Sequence, residues 1–219
     1  MTGDLIALGI DQGTSGARAV VMTGAGEVLG TGRVPCRDLR RTTDTSEHDP
    51  SAWLEETFGA AREALAQSGC ARVDAIGVGA LGPAPVLLDA SLKPRAPAPL
   101  FPMEPTSAWV ERLPAETIAS AAWLVDVAGF IVSALVGRPV MDRITAADHD
   151  STIERPEPRE PFDVAGTLTA PAAKRLGLQA GAPVTIGTYD TFVDLAAVGA
   201  AEPGSAAILL GSTVIVGAV

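Results

Sequence analysis

Three short apolar segments joined by two tight turns open the chain, and this pattern constrains the fold more than any other. Residues 5–10 are followed by the small polar turn 11–16, and residues 18–23 resume the strand pattern. A second turn, 24–26, leads into the segment 27–33. Turns of this length join antiparallel neighbours, whereas a parallel crossover needs a dozen or more residues. The opening therefore predicts an antiparallel meander rather than a strand–helix–strand unit.

The remainder of the chain alternates helix and strand signals. Asp49 and Pro50 are typical of a helix N-terminus, apolar side chains recur at helical spacing after them, and Gly69 ends the pattern. Apolar runs further along predict strands at 73–79, 85–89, 184–187, 206–210 and 214–216, and helices at 121–136 and 191–198. This alternation predicts an α/β fold.

The charge and hydropathy of the chain restrict its partners. With 16 Lys and Arg against 26 Asp and Glu, the net charge is −10, which disfavours a broad basic face for nucleic acid or anionic lipid. The apolar stretch 120–136 is interrupted by Asp126 and falls short of the ~20 residues that a membrane span needs. The N-terminus lacks the basic and apolar regions of a secretion signal. We therefore expect a cytoplasmic protein that binds neither nucleic acid nor membrane.

The chain has two cysteines, Cys36 and Cys70. Two cysteines cannot by themselves build a disulfide framework or a zinc site. A single disulfide is one alternative, and two separate buried thiols are the favoured one.

The strongest chemical motif is DQGTSGAR at 11–18, placed between two predicted strands. Gly13 allows a phosphate to approach the backbone closely, while Thr14 and Ser15 supply hydroxyl donors. Arg18 can pair with phosphate oxygens, and Asp11 at the strand end can hold Mg²⁺ through water. An ordinary glycine-rich hairpin turn is the structural alternative.

Two further segments carry the same kind of chemistry. Leu210-Gly-Ser-Thr213 is a second turn of small residues between strands, either a plain hairpin or a second phosphate loop. Asp190 stands where a strand ends and a helix begins. A carboxylate there is either a helix cap or a general base that takes a proton from an alcohol during phosphoryl transfer.

These motifs in their order resemble the N-terminal part of the FGGY family of carbohydrate kinases. The matching segments are DQGTSGAR, EHDPSAW, IGVGALGPAPVLLD, GTYD and LLGST, joined by AGTLTAP at 165–171 and LGLQAGAPV at 176–184. The resemblance implies an RNase H-like ATPase fold of the actin and hexokinase type, with a mixed sheet and flanking helices. It also implies transfer of the γ-phosphate of Mg·ATP to a sugar or polyol hydroxyl.

The resemblance extends to individual positions. It implies that Asp190 is the catalytic base and that Asp11 serves Mg²⁺. The positions implied to contact the ATP phosphates are Gly13, Thr14, Ser15, Arg18, Gly211, Ser212 and Thr213. The positions implied to contact the acceptor are Gly82, Pro83, Asp142 and Thr191. Gly82 and Pro83 stand where relatives have polar sugar contacts, and a plain surface turn accounts for Asp142 equally well.

The resemblance also implies a domain organisation. Residues 1–186 correspond to the N-terminal domain and 187–219 to the start of a C-terminal ATPase domain whose remainder we expect to be absent. An apolar strand at the end of the chain is compatible with a homodimer or with association with that domain. The alternative to an active kinase is a sugar- or nucleotide-binding remnant without catalysis.

Overall fold

The computed structural model describes residues 5–37, 40–41, 46–101, 104–200, 203–210 and 214–218. The strands are β1 (Ile6–Gly13), β2 (Gly16–Thr23), β3 (Val28–Pro35), β4 (Arg40–Arg41), β5 (Ser46–His48), β6 (Ala75–Ala80), β7 (Val86–Leu88), β8 (Ala98–Pro99), β9 (Trp123–Val125), β10 (Val164–Thr167), β11 (Pro183–Thr185), β12 (Thr188–Tyr189), β13 (Ala206–Leu210) and β14 (Val214–Ala218). The helices are α1 (Pro50–Ser68), α2 (Thr106–Glu111), α3 (Ala115–Ser120), α4 (Val127–Val136), α5 (Arg143–Ala146), α6 (Ala170–Leu176) and α7 (Asp190–Ala197).

The main sheet is mixed, with the strand order β10-β11-β6-β1-β2-β3. β1, β2 and β3 pair antiparallel, so the predicted meander is confirmed. β6 runs parallel to β1 on one side, and parallel to β11 and then β12 on the other. The carboxyl ends of β1, β6 and β12 therefore meet at one edge of the sheet.

Helix α1 covers the meander side of the sheet. Its N-cap Asp49 accepts a hydrogen bond from the Ser51 amide, and the helix ends at Gly69 in the left-handed conformation, as the sequence predicts. The aromatic side chains of Trp53 and Phe58 are fully buried beneath it. Gly32 of β3 allows this packing, because a Cβ there would lie 2.0 Å from the Ala60 carbonyl oxygen of α1.

The predicted helix 121–136 is wrong in its first part. Residues 123–125 form β9, which pairs antiparallel with β7, and the helix α4 begins only at Val127. Asp126 separates the two elements, because its buried carboxylate accepts the Val127 amide and caps the helix. Among the described residues, no helix is both long enough and apolar enough to cross a membrane.

The C-terminal elements follow the predicted pattern closely. The predicted strand 184–187 is too long at its end: β11 stops at Thr185, and β12 begins beyond the prediction at Thr188, because Gly187 bends the backbone between them with a φ of 75°. β13 and β14 form an antiparallel hairpin whose large apolar side chains, such as Leu210 at 80% and Val216 at 70%, are exposed. Cys36 and Cys70 form no disulfide, which confirms the favoured prediction of two separate thiols. Both are half-buried, whereas buried thiols were predicted.

The close approach of α1 to β3 predicts the stability of a glycine variant. Gly32→Ala should lower the free energy of unfolding by about 1–3 kcal/mol, because the added methyl group forces strand and helix apart. Urea denaturation followed by circular dichroism measures the change. Gly24→Ala is the matched control, since its Cβ would make only an ordinary 3.5 Å contact with Leu5. Equal midpoints for the Gly32 variant and the parent protein would contradict the packing argument.

Candidate active site

The turn between β1 and β2 places a charged pair at the edge of the sheet. Asp11 and Arg18 lie opposite each other in the two strands, and Gly13 pairs with Gly16 where the strands end. Arg18 Nη1 donates to Asp11 Oδ2 at 2.9 Å, and Nη2 donates to Ser15 Oγ at 3.3 Å. Gly16 has a φ of 121°, and a Cβ there would lie 2.1 Å from the Val34 carbonyl oxygen. The turn thus has a fixed shape with its polar side chains at the tip.

Asp190 reaches the same edge from β12. It occupies the first turn of α7, where its Oδ1 accepts the Thr191 amide at 2.7 Å and the Thr191 hydroxyl at 3.3 Å. The N-cap position of α7 belongs to Tyr189, whose side chain makes no cap hydrogen bond. Asp190 is therefore a first-turn carboxylate, half-buried, with one oxygen held by its neighbour.

These two segments line a single cleft of about 350 Å³. The sequence-predicted residues on its walls are Asp11, Gly13, Thr14, Ser15, Arg18, Gly82, Asp190 and Thr191. The residues that sequence reasoning missed are Leu81, Phe101, Asp194, Leu209, Leu210 and Ile215. Asp194 had a detectable signal, because a residue four positions after Asp190 lies on the same face of a helix. Leu81 and Phe101 are apolar residues whose position only the tertiary structure defines.

The cleft raises the pKa of two of its carboxyl groups, those of Asp11 and Asp190. Burial is the main reason that the pKa of Asp11 is raised to about 6. Arg18 lowers this pKa, while the charges of Asp190 and Asp194 raise it further. Burial also raises the pKa of Asp190, although its bonds from Thr191 act in the opposite direction. Carboxyl groups that share a partly desolvated cleft favour a proton or a cation between them.

Tyr189 supports Asp190 from within the protein. Its hydroxyl donates to Asp148 Oδ2 at 2.9 Å, and burial, with the nearby carboxylates, raises the pKa of this phenol well above its ordinary value. Gly82 fits closely against its ring, since a Cβ would lie 1.9 Å from Tyr189 Cε1. The Gly82–Pro83 peptide bond is cis, and Pro83 contributes its carbonyl oxygen to the Phe101 amide at 3.1 Å. Gly82 thus lines the cleft through its backbone.

Asp142, which the resemblance implies as an acceptor contact, is not among the residues that line this cleft. Asp142 is 1% exposed and caps α5, with Oδ1 accepting the Ile144 and Thr145 amides. The same oxygen accepts the Thr188 hydroxyl at 3.0 Å, and Oδ2 accepts the Thr145 hydroxyl at 2.6 Å. These bonds join α5 to β12, and the burial of Asp142 excludes a plain surface turn. Gly211, Ser212 and Thr213 lie outside the described residues.

The residues at the cleft fit a hydrated divalent cation. Mg²⁺ keeps several of its water ligands and takes one or two carboxylates. Asp11, Asp190 and Asp194 lie close enough that the latter two raise the pKa of Asp11. A cation among them would relieve this repulsion, and Asp11 of β1 is one of the residues that could hold it.

Comparisons with known proteins agree with this architecture. The sequence model of the FGGY family of carbohydrate kinases, N-terminal domain, matches residues 6–124. The chain is 36% identical over 75 residues to a glycerol kinase from Allorhizobium ampelinum, an alignment that covers 34% of this chain and 14% of that protein. A glycerol kinase from Sinorhizobium fredii is 33% identical over 72 residues, with coverage of 33% and 14%.

Solved structures resemble nearly the whole chain. A xylulose kinase from Rhodospirillum rubrum matches with a TM-score of 0.86 at 21% identity, covering 96% of this chain and 54% of that one. Plasmodium falciparum glycerol kinase with ADP matches with a TM-score of 0.81 at 12% identity, covering 97% and 54%. The chain therefore spans about half the length of these kinases and has their actin- and hexokinase-like ATPase fold.

The solved structures match the elements that the family model matches, and also most of the rest of the chain. The matched residues 6–124 contain the meander, α1 and β6, that is, four adjacent strands of the main sheet and the helix that packs on them. They also carry Asp11 and the Gly13–Arg18 turn on the wall of the cleft. This segment is more than half of the 219 residues. The chain belongs to the FGGY family of carbohydrate kinases.

Proposed function

We propose that this protein takes part in ATP-dependent phosphorylation of a sugar or polyol hydroxyl, with Asp190 as the general base. The observation that carries the proposal is that Asp190 and the Gly13–Arg18 turn line one cleft. Phosphoryl transfer depends mainly on positioning and on stabilisation of charge, so both kinds of residue must face the same space. Relatives named as glycerol and xylulose kinases support a polyhydroxy acceptor.

In this proposal, Asp190 takes the proton from the attacking hydroxyl. One carboxylate oxygen is held by Thr191, which leaves the second oxygen to accept. The raised pKa of Asp190 makes it a stronger base than an exposed aspartate. Tyr189 and its bond to Asp148 fix the backbone from which Asp190 projects.

The β1–β2 turn is the proposed phosphate site. Thr14 and Ser15 offer hydroxyl and amide donors at its tip, and Arg18, whose side chain is 55% exposed, offers a charged donor. Arg18 and Asp11 form an ion pair at 2.9 Å. When Mg·ATP binds, we expect Arg18 to pair with a phosphate instead and Asp11 to bind the cation. Mg²⁺ bound there would neutralise charge on the phosphate oxygens. Gly211, Ser212 and Thr213 are the proposed second phosphate loop.

The proposed domain organisation places residues 1–186 in the N-terminal domain and 187–219 at the start of the C-terminal ATPase domain. The exposed apolar hairpin β13–β14 is the surface on which further ATPase-domain residues or a second copy of the chain would pack. A cytoplasmic location is part of the same proposal.

A binding role without catalysis is the second candidate. One wall of the cleft is formed by the hairpin, where Leu210 is 80% exposed and water has free access. Phosphoryl transfer to an alcohol competes with water, so an open cleft favours binding over productive transfer. The two candidates differ in whether ADP release depends on the acceptor.

Asp190→Asn tests the catalytic assignment. Acceptor-dependent ADP release from Mg·ATP should fall by about 10²–10⁴-fold, because the amide cannot take the hydroxyl proton. A coupled ADP assay with a panel of polyols and ketoses measures turnover, and calorimetry measures Mg·ATP binding, which should persist.

Glu116→Gln is the matched control, since it makes the same chemical change at an exposed position in α3. Its turnover should equal that of the parent protein. Unchanged turnover in Asp190→Asn would contradict the assignment of Asp190 as the base. Binding of ATP or acceptor by the parent protein without any acceptor-dependent ADP release would favour the second candidate.

The pKa of Asp11 predicts how Mg·ATP binding depends on pH. Metal binding needs the ionised carboxylate, and with a pKa of about 6 the Asp11 carboxyl is ionised above that pH and protonated below it. The Mg·ATP-induced rise in melting temperature should therefore diminish as the pH falls from 7.5 to 5. Asp11→Asn should give a smaller rise that changes less over this range, because residue 11 then no longer titrates and the raised pKa of Asp190 remains. An equal pH dependence in the variant would assign the titration to another group.

A further inference from the structure

A second cluster of ligand-type side chains lies next to β1, and none of its residues lines the cleft. Cys36 follows β3, His48 ends β5, and Glu56 lies in α1. Their Sγ, Nε2 and carboxylate oxygen atoms all lie within 4.8 Å of one another. Cys36 Sγ is 3.1 Å from His48 Nε2, and that nitrogen is 3.8 Å from Glu56 Oε1. Three different elements thus bring a sulfur, a nitrogen and an oxygen to one point.

The ring of His48 is held with Nε2 directed at the cluster. Its Nδ1 lies 2.9 Å from the carbonyl oxygen of Asp49, and only a protonated nitrogen can donate to that oxygen. In the neutral ring, Nε2 then carries the lone pair. The ring also stacks on Trp53, with centroids 4.9 Å apart. A histidine oriented through a backbone carbonyl in this way is typical of metal sites.

Glu56 is buried and held in place by two donors. Its side chain is 1% exposed, as is that of His48. Oε1 accepts the Arg37 amide at 2.6 Å, and Oε2 accepts Gln12 Nε2 at 3.0 Å. Within the described part of the chain, the basic side chain closest to Glu56 is that of His48, which would form an ion pair with it only if the ring were protonated. A buried carboxylate is stabilised best by a cation, and neutral donors supply only part of that stabilisation.

We propose that Cys36, His48 and Glu56 bind one Zn²⁺ ion. Zinc takes thiolate, imidazole and carboxylate ligands, whereas Mg²⁺ and Ca²⁺ take oxygen ligands. Tetrahedral zinc with its usual bond lengths separates sulfur from nitrogen by about 3.5 Å, so the observed atoms need only small shifts. A thiolate and a carboxylate balance the two charges of the ion. Cys36 gives up its proton to solvent when the ion binds, and three protein ligands leave the fourth position for water.

The site is independent of the proposed kinase function but adjacent to its cleft. Gln12, which bonds Glu56, follows Asp11 in β1, and successive side chains of a strand point to opposite faces. Gln12 Oε1 also accepts the Thr57 hydroxyl at 3.0 Å, so the strand and the helix are joined at this point. An ion bound here ties the end of β3, the end of β5 and α1 to the strand that carries Asp11.

Titration of the metal-free protein with Co²⁺, the spectroscopic substitute for zinc, tests the site directly. A thiolate ligand gives an intense charge-transfer band in the near ultraviolet, which should saturate at one equivalent and disappear when Zn²⁺ is added. Cobalt binding without this band would overturn the assignment of Cys36, and the absence of cobalt and zinc binding would overturn the site.

Variants assign the ligands. Cys36→Ser should abolish the band, whereas Cys70→Ser, the matched control, should retain it. Glu56→Gln should weaken Zn²⁺ binding by more than about tenfold, as loss of a ligand or of its support does. Asp11→Asn should leave the band unchanged, which separates this site from the cleft. Circular dichroism checks that each variant is folded, and a band that persists in folded Cys36→Ser would refute the proposal.

Discussion

The parallel pairing of β6 with both β1 and β12 is the constraint on which the cleft depends. Asp11 of β1 and Thr188 of β12 are both in register with Gly79 of β6, one on each side. Asp190 follows Thr188 by two residues, so the register alone brings the two carboxylates to the same edge of the sheet. Gly79 has no side chain to separate them, and a Cβ there would lie 3.3 Å from Val193 of α7. A shift of one residue in either pairing would turn one carboxylate to the other face.

Buried polar groups hold this register from the interior. Asp126 accepts the Ala84 amide at 3.1 Å, the Val127 amide at 2.7 Å and His149 Nε2 at 2.7 Å, and burial raises the pKa of its carboxyl. Tyr189 bonds to the neighbouring Asp148, and Asp142 bonds to Thr188. The two buried carboxylates among these, those of Asp126 and Asp142, each have several donors, as a low-dielectric interior requires. They anchor the short segment before Asp190 on both sides.

The sequence allows the local elements to be predicted better than the distances between them. The meander and α1 follow from turn length, capping residues and helical spacing, which are local properties. The helix predicted at 121–136 begins late because Trp123 and its neighbours pair with β7, a partner distant in the chain. Asp142 was expected at the acceptor site, but its hydrogen bonds to Thr188 depend on tertiary packing that no local pattern encodes. Asp194 was missed although its helical spacing from Asp190 indicates it.

The charge of the cleft favours a cation in the chemistry proposed for it. Of the described residues on its walls, Asp11, Asp190 and Asp194 are acidic and Arg18 is basic. A triphosphate would enter a site that is already negative, and Arg18 is partly neutralised by its pair with Asp11. A divalent ion held by Asp11 would change this balance in two ways, because it would cancel carboxylate charge and leave Arg18 to pair with the phosphate. Nucleotide and metal should therefore bind to the cleft together, each strengthening the other.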